Sequence, residues 1–254
     1  MKSDERKSKK IFSRMITLVC LAVFIYSSYE LTSILLEYYH NRKVLAEAQE
    51  LFYHADSDER DEKQMRKAFY ELQAINEDII GWVTIEGTKI DYPVLQADDN
   101  KYYLNRNYKR EHSRAGSIFM DYRNDYEMMQ DKNIILYGHR MKDDTMFNQL
   151  KRYVDKEFFD SHPIVLFDTL YDRFDAEIFS VYRTTTDFDY IKTDFESDEE
   201  FQEFLDIIQE KSLHQSDVRV TKDDQILTLS TCDYMLDPDK GRLVVHAKLV
   251  ERKS

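Results

Sequence analysis

From Gly81 onward, the sequence is a series of short apolar segments, each about one strand long, separated by turn-like or charged connections. Two further segments of this kind lie between Gln225 and Val250. Such a density of short strands indicates a closed or nearly closed β-barrel rather than a parallel sheet. We therefore predict a mostly β fold with peripheral helices (α+β), in which residues 79–254 form the barrel. The earlier segments are G-W-V-T-I, G-T-K-I-D-Y-P-V-L-Q, G-S-I-F-M-D, K-N-I-I-L-Y-G, P-I-V-L-F-D and F-D-A-E-I-F-S-V-Y.

Residues 32–78 are predicted to form N-terminal helices, because this stretch contains no Gly or Pro and many good helix formers. An apolar stripe with a spacing of three or four residues runs from Met65 to Ile75. We predict two helices, broken near Ala55 to Arg60, that pack on the barrel domain. A coiled-coil stalk is the alternative, but the repeat is too short to support it.

Two helices are also predicted between strands of the barrel domain. The first is short and covers Thr145–Tyr153. The second covers Ser197–Lys211 and begins with a capping box formed by Ser197 and Glu200. Its apolar residues recur on one face, which predicts packing against the barrel.

The N-terminus has the composition of a membrane anchor. A basic leader, residues 1–10, is followed by an apolar segment, residues 11–31, in which Met15 to Tyr29 carry no charge. With Arg14 snorkelling, this segment approaches the length of about 20 residues that is needed to cross a bilayer. The basic leader predicts a cytoplasmic N-terminus and a single span, with the rest of the chain outside the cell membrane.

A cleaved signal peptide is the competing interpretation of the same segment, because its apolar core is short. We favour retention, since no convincing small-x-small cleavage site follows Phe24. Both interpretations place most of the chain outside the cytoplasm.

Composition excludes several classes of function. The formal net charge is −13, and this acidic balance argues against nucleic acid as a partner. The sequence contains no H-x-x-x-H pair and no calcium-loop pattern, so we predict no metal and no cofactor. Only two cysteines exist, Cys20 in the apolar segment and Cys232 near the C-terminus, so no disulfide can form within the external domain. An unpaired exterior thiol indicates reactivity, although a buried and inert Cys232 is the simpler alternative.

The C-terminal segments are predicted to form a hairpin that places a thiol beside a guanidinium. Cys232 ends the first strand and Arg242 begins the second, with a nine-residue loop containing Pro238 and Gly241 between them. Antiparallel pairing would bring the two strands to about 5 Å in backbone distance. Alternation puts Cys232 on the same face as Ser230, a mixed polar face typical of the floor of a groove.

His139 is the second candidate for chemistry. It follows the apolar strand K-N-I-I-L-Y and Gly138, at the point where a core strand ends. A structural role is the alternative for a lone His in this position. A nucleophilic Cys needs its thiolate form, which a nearby imidazolium or guanidinium favours. Papain-like peptidases are excluded, because their base follows the nucleophile by more than a hundred residues and only 22 residues follow Cys232.

These features resemble the sortases, the membrane-anchored cysteine transpeptidases of Gram-positive bacteria. The resemblance rests on T-L-S-T-C, a His about ninety residues upstream of the Cys, and an Arg ten residues downstream. The N-terminal helical pair, the Y-P-V-L-Q and Y-L-N segments, and the long helix before the catalytic strand are similar to class B in particular. The resemblance implies an eight-stranded sortase barrel with an N-terminal helical pair.

The resemblance also implies roles for individual residues. Cys232 would be the nucleophile, His139 the acid and base, and Arg242 the group that binds the substrate backbone and stabilises the oxyanion. The implied partners are surface proteins that carry a C-terminal sorting signal of the N-P-x-T-N or N-P-x-T-G type, and a peptidoglycan peptide amine that accepts them. The residues implied to bind the signal are Asn100, Leu104, Thr186, Tyr190, Ile191, Ser230 and Asp233.

Two other functions are compatible with the same residues. A membrane-tethered module that binds envelope components would leave Cys232 incidental. A hydrolytic cysteine peptidase would form a thioacyl intermediate but would never transfer it to an added amine.

Overall fold

The computed structural model describes residues 2–54 and 65–252, with side chains from residue 12 onward. These residues divide into two compact units, residues 1–43 and residues 44–254. A single helix, α1 (Lys2–His54), runs through the first unit and into the second.

The first unit is helical throughout its described residues. In this part of α1 the apolar side chains face outward, and Leu18 and Phe24 are 64% and 69% exposed. Among the described helices, α1 alone is long and apolar enough to cross a membrane, with a mean hydropathy of 1.7 over 18 residues. A signal sequence near the N-terminus would have the same property. The membrane span therefore stays a prediction.

The second unit contains a closed barrel of eight strands, which confirms the predicted fold class. The order around the barrel is β1-β2-β3-β4-β7-β8-β6-β5. The β2–β3 and β4–β7 pairs are parallel and the other pairs are antiparallel. Closure leaves no free edge among the described strands of the barrel. The strands are β1 (Ile79–Thr84), β2 (Asp91–Leu95), β3 (Ile118–Met120), β4 (Asn133–Tyr137), β5 (Ile164–Thr169), β6 (Arg173–Thr185), β7 (Ile226–Cys232) and β8 (Gly241–Glu251).

The second N-terminal helix is shorter than predicted. It consists of a 3-10 turn, Lys67–Phe69, followed by α2 (Tyr70–Ile75). Asn76 ends the helix in an extended conformation, and its side-chain amide donates to the hydroxyl of Tyr103 and the carbonyl of Tyr108, both at 2.8 Å. The predicted break near residues 55–60 lies outside the described residues.

The helix predicted over residues 145–153 is a 3-10 helix, Phe147–Val154, and a short α3 (Lys156–Ser161) follows it. Met146 has φ 54° and ψ −140°, a non-helical conformation, so the helix cannot begin before Phe147. Another 3-10 turn covers Tyr102–Asn105.

The helix predicted over residues 197–211 is confirmed as α4 (Asp198–Glu210). Ser197 caps it, accepting a hydrogen bond from the Glu200 backbone N–H at 3.2 Å. Glu200 reaches back to the N–H of Glu196 at 2.6 Å, one residue before the position that a capping box uses.

Strand β7 is covered on both faces along most of its length. Leu227 and Leu229 point into the barrel core, as alternation predicts. On the opposite face, Ile226 packs in the cluster beneath α4. Farther along this outer face lie Ser230 and Cys232, and both line a cavity. The predicted floor of a groove is therefore the end of β7.

Residues 44–54 of α1 pack on the outside of the barrel. Val44, Ala48 and Phe52 are buried in a second apolar cluster. The Phe52 ring stacks on the Trp82 indole, with centroids 4.3 Å apart and planes at 6°. This contact covers the barrel on the side of β1.

Candidate active site

The β7–β8 hairpin pairs Cys232 directly with Arg242, as the sequence predicts. The Asp233 N–H donates to the Gly241 carbonyl at 2.9 Å, which closes the nine-residue loop. A Cβ atom at Gly241 would clash with the backbone oxygens of Asp233 and Asp237. Only glycine therefore fits at position 241, immediately before Arg242 at the rim of the barrel.

His139 reaches the same rim through the parallel pairing of β4 with β7. Tyr137 pairs with Ser230, and the Gly138 N–H donates to the Ser230 carbonyl at 3.2 Å. Continued by two residues, this register places His139 beside Cys232. A Cβ atom at Gly138 would clash with the Ile118 side chain and the Phe147 ring, so glycine lets both side chains pack against the chain just before His139.

The imidazole of His139 is held by a backbone carbonyl. Its Nε2 lies 2.8 Å from the oxygen of Leu104. Because a carbonyl oxygen only accepts, Nε2 carries the hydrogen in this contact. Nδ1 is then the nitrogen through which the neutral ring can take up a proton.

A cavity of about 290 Å³ brings together most of the predicted site residues. Cys232 is partly exposed there, so its thiol is not sealed in the core. The predicted residues that line the cavity are Cys232, His139, Arg242, Asn100, Leu104, Thr186, Tyr190, Ile191 and Ser230.

Asp233 lies outside that lining. Its side chain is 1% exposed and lies between two guanidinium groups, with Arg140 Nη1 at 3.1 Å and Arg183 Nε at 2.6 Å. Burial raises the pKa of its carboxyl, but hydrogen bonds from the Met235 N–H and Arg183, with the charges of both arginines, outweigh burial and lower it. Asp233, the residue after Cys232, is therefore bound to Arg140, the residue after His139.

Four residues that line the cavity were not predicted. They are Phe119, Tyr137, Gly138 and Thr231. Tyr137 and Gly138 precede His139 along the chain, and Phe119 is the register partner of Tyr137 on β3. Their apolar or neutral character gave no chemical signal in the sequence. Thr231 is buried, and its hydroxyl has no hydrogen-bond partner within the described residues.

Polar contacts hold the guanidinium of Arg242 and the phenol of Tyr190 at the cavity. Arg242 Nη1 donates to the carbonyls of Asp239, at 3.1 Å, and Gly241, at 2.8 Å. The Tyr190 hydroxyl lies 2.9 Å from Ser230 Oγ. Burial raises the pKa of Tyr190, so its phenol is neutral at physiological pH.

The described residues contain no group of three or more His, Cys, Asp or Glu side chains placed to hold a metal ion. The chemistry available at the cavity is that of a thiol, an imidazole and a guanidinium. Together they can carry out acyl transfer through sulfur, because a cation stabilises a thiolate and an imidazole can move protons to and from an amine.

Comparison with known proteins decides the family. The model of the sortase domain matches residues 83–250. This chain belongs to the sortase family. It is 43% identical to a curated sortase B from Listeria monocytogenes over 246 residues, which are 97% of this chain and 100% of that protein. This sortase is therefore of class B, as the sequence motifs predict, and sortases are cysteine transpeptidases.

Solved structures of sortase B have the same fold. One from Bacillus anthracis, in complex with AAEK1, is 57% identical, with a TM-score of 0.79, and the match covers 85% of this chain and 99% of that one. A Staphylococcus aureus sortase B–substrate complex is 41% identical, with a TM-score of 0.80, and the match covers 86% of this chain and 100% of that one.

Proposed function

We propose that this sortase is a membrane-anchored transpeptidase that cuts a C-terminal sorting signal after Thr and joins the sorted protein to a peptidoglycan peptide amine. One observation carries the proposal: Cys232, His139 and Arg242 line a single cavity at the barrel rim.

The first half-reaction forms the thioacyl enzyme. The Cys232 thiolate attacks the carbonyl carbon of the signal Thr, and the Arg242 guanidinium stabilises the oxyanion that develops. His139 then protonates the leaving amine as the C–N bond breaks and the C–S bond remains. A single charged donor aimed at an oxyanion contributes about 3 kcal/mol to such a step.

The second half-reaction releases the product. An amine of the cell-wall peptide attacks the thioacyl carbon, and His139 takes up the proton that this amine loses. The C–S bond breaks, a new amide forms, and the Cys232 thiolate is regenerated. The imidazole therefore ends each cycle with the proton count with which it began.

The lining of the cavity suits the proposed signal, of the N-P-x-T-N or N-P-x-T-G type. Leu104 and Ile191 offer apolar contacts, whereas Asn100, Thr186 and Ser230 offer hydrogen bonds, and Tyr190 can offer either. The fold shared with a sortase B that was solved as a substrate complex supports this assignment. Asp233 remains part of the proposed site. It lies outside the cavity lining and would support the site through its ion pairs with Arg140 and Arg183.

We propose that α1 anchors the enzyme as a single span of the cell membrane. The basic residues 1–10 would stay in the cytoplasm, and the barrel would lie outside the cell. Membrane fractionation checks this, and full-length protein free in the cytosol would refute it.

The decisive experiment seeks the thioacyl intermediate. Full-length protein in a nonionic detergent is incubated with a peptide that contains N-P-x-T-N or N-P-x-T-G, and the intact mass is measured. The wild type should gain the mass of the peptide up to Thr, and Cys232→Ala should gain nothing. An added amine should then remove the adduct and appear in the product.

The alternatives predict other results. A binding module would form no adduct, and Cys232→Ala would retain its function. A hydrolytic peptidase would form the adduct but give only the free acid in the presence of the amine.

A further inference from the structure

A buried carboxylate lies behind the cavity without lining it. Asp121 directly follows β3, and its side chain is 0% exposed. Its Oδ2 accepts hydrogen bonds from the Asn100 amide at 3.0 Å and from the Tyr137 hydroxyl at 2.8 Å. Both donors belong to side chains that line the cavity. One carboxylate oxygen therefore fixes two separate parts of the lining.

The same carboxylate is connected to a third part of the cavity lining through Arg123. The guanidinium binds Asp121 in a bidentate pair, with Nε to Oδ1 and Nη2 to Oδ2 both at 2.8 Å. Nη2 also donates to the backbone carbonyl of Ile191 at 2.9 Å. Ile191 lies in the connection between β6 and α4, 68 residues further along the chain than Arg123. The Asp121–Arg123 pair thus ties the wall of Asn100 to the wall of Ile191.

The ionised form of Asp121 fits this arrangement of donors. Burial raises the pKa of the carboxyl, but the bonds from Arg123, Tyr137 and Asn100 outweigh burial and lower it. The group is therefore ionised at neutral pH and acts only as an acceptor, which matches the donors around it. An amide in its place would turn an N–H group toward those donors.

We propose that Asp121 is the positioning residue of the sorting-signal cavity: it sets the spacing of Asn100, Tyr137 and Ile191 and so the affinity for the signal. This inference rests on the proposed function, because it assumes that these lining residues contact the signal. Asp121 does not line the cavity, so its effect on substrate passes through them.

The test compares Asp121→Asn with the wild type in steady-state transfer of a sorting peptide to an amine, using full-length protein in a nonionic detergent. We expect KM to rise by ~10-fold or more, because the charge-assisted hydrogen bonds that the carboxylate accepts from Asn100, Tyr137 and Arg123 are weakened or lost, while kcat stays within about 3-fold. Alkylation of Cys232 by iodoacetamide should keep its rate, since that small reagent needs no walls.

Two variants control for loss of a carboxylate. Asp168→Asn removes a buried carboxylate on β5 that pairs with Arg66 at 3.1 Å, away from the cavity lining. Asp125→Asn removes an exposed carboxylate in the same loop as Asp121, where it caps the N–H groups of Glu127 and Met128. Both should leave KM unchanged.

A mutant cycle tests the connection to the walls. If Asp121 acts partly through Asn100, Asp121→Asn should raise KM less in an Asn100→Ala background than in the wild type. Should Asp121→Asn fail to fold, Arg123→Met takes its place in the test. The partly exposed side chain of Arg123 donates the hydrogen bond to the Ile191 carbonyl, and this substitution removes it. Arg123→Met should raise KM and leave alkylation unchanged.

An unchanged KM in Asp121→Asn, or in Arg123→Met where that variant decides, would overturn the proposal. Equal losses of kcat and alkylation would also overturn it, because they indicate a general structural role. If the effects of Asp121→Asn and Asn100→Ala on KM simply multiply, Asp121 does not act through Asn100, and that part of the proposal is overturned. A wild type that forms no thioacyl adduct would instead refute the proposed function, so the two failures are distinguishable.

Discussion

Replacing the buried His246 with Gln should make the fold less sensitive to acid. His246 lies on β8, is 0% exposed and takes no part in the proposed chemistry. The Tyr182 hydroxyl lies 2.8 Å from its Nε2, and Thr228 Oγ1 lies 2.8 Å from its Nδ1. Thr228 donates its own hydrogen to Asn133 Oδ1 at 2.6 Å, so its oxygen accepts from Nδ1–H. Both nitrogens of the neutral imidazole therefore have a hydrogen-bond partner: Nδ1–H donates to Thr228, and Nε2 accepts from Tyr182.

The size of the effect follows from the proton uptake of this ring. Burial lowers the pKa of His246 to about 3. In the unfolded chain the ring takes up a proton below about pH 6.5, whereas in the folded protein it stays neutral until about pH 3. The unfolded state therefore binds more protons, and the stabilising contribution of the neutral ring is lost as the pH falls. Linkage gives a loss of about 2 kcal/mol in the free energy of unfolding between pH 8 and pH 5.

The substitution His246→Gln removes this titration and keeps a polar side chain. The assay is urea unfolding of the full-length protein in a nonionic detergent at pH 8 and pH 5, followed by the fluorescence of Trp82, the single tryptophan, which is 1% exposed. The loss of stability between the two pH values should be about 2 kcal/mol smaller in His246→Gln than in the wild type. Other groups titrate equally in both proteins and cancel in the comparison. The same substitution at the half-buried His214 is the control, and equal pH dependence in His246→Gln and the wild type would refute the reasoning.

Three further predictions concern single side chains. Arg242→Ala should lose ~100-fold or more in kcat/KM while remaining folded, because it removes the charged donor to the oxyanion; activity within a few-fold of the wild type would remove Arg242 from the mechanism. Asp233→Asn should lower the free energy of unfolding by about 2 kcal/mol, since it breaks charge-assisted bonds to Arg140 and Arg183; an unchanged urea midpoint would contradict this. Phe52→Ala should cost about 3 kcal/mol, because it empties the site stacked on Trp82; a thermal melt like that of the wild type would show that residues 44–54 do not stabilise the barrel.

The positions of the strands could be predicted because each strand carries its own local signal. In β7, alternation alone separates Leu227 and Leu229, in the core, from Ser230 on the outer face. Glycine marks the point where β4 ends before His139, and the close approach of the Ile118 and Phe147 side chains explains that glycine. The candidate catalytic residues were therefore visible in the sequence, although their convergence needed the fold.

The support of the cavity could not be predicted, because it depends on contacts between distant parts of the chain. Asp121 meets Asn100 across 21 residues and Tyr137 across 16, and Arg123 meets Ile191 across 68. No periodic pattern relates such residues, and a charged residue after a strand is most simply interpreted as part of a solvated turn. The resemblance alone implies that Asp233 contacts the signal, and its ion pairs with Arg140 and Arg183 likewise join distant parts of the chain.

The meeting of three distant residues follows from the direction of three neighbouring strands. Strands β4 and β7 are parallel, so the residues after both of their ends lie at one rim, and β8 begins at that rim because it is antiparallel to β7. In this register His139, Cys232 and Arg242 fall in one row across the barrel. A slip of one residue between β7 and β8 would turn the side chain of Cys232 or Arg242 to the other face. Buried pairs on both faces of β7 oppose such a slip: Leu229 lies opposite Val245 on the inner face, and Ser230 lies opposite Val244 on the outer face. The packing of the barrel itself therefore maintains the alignment that the proposed chemistry requires.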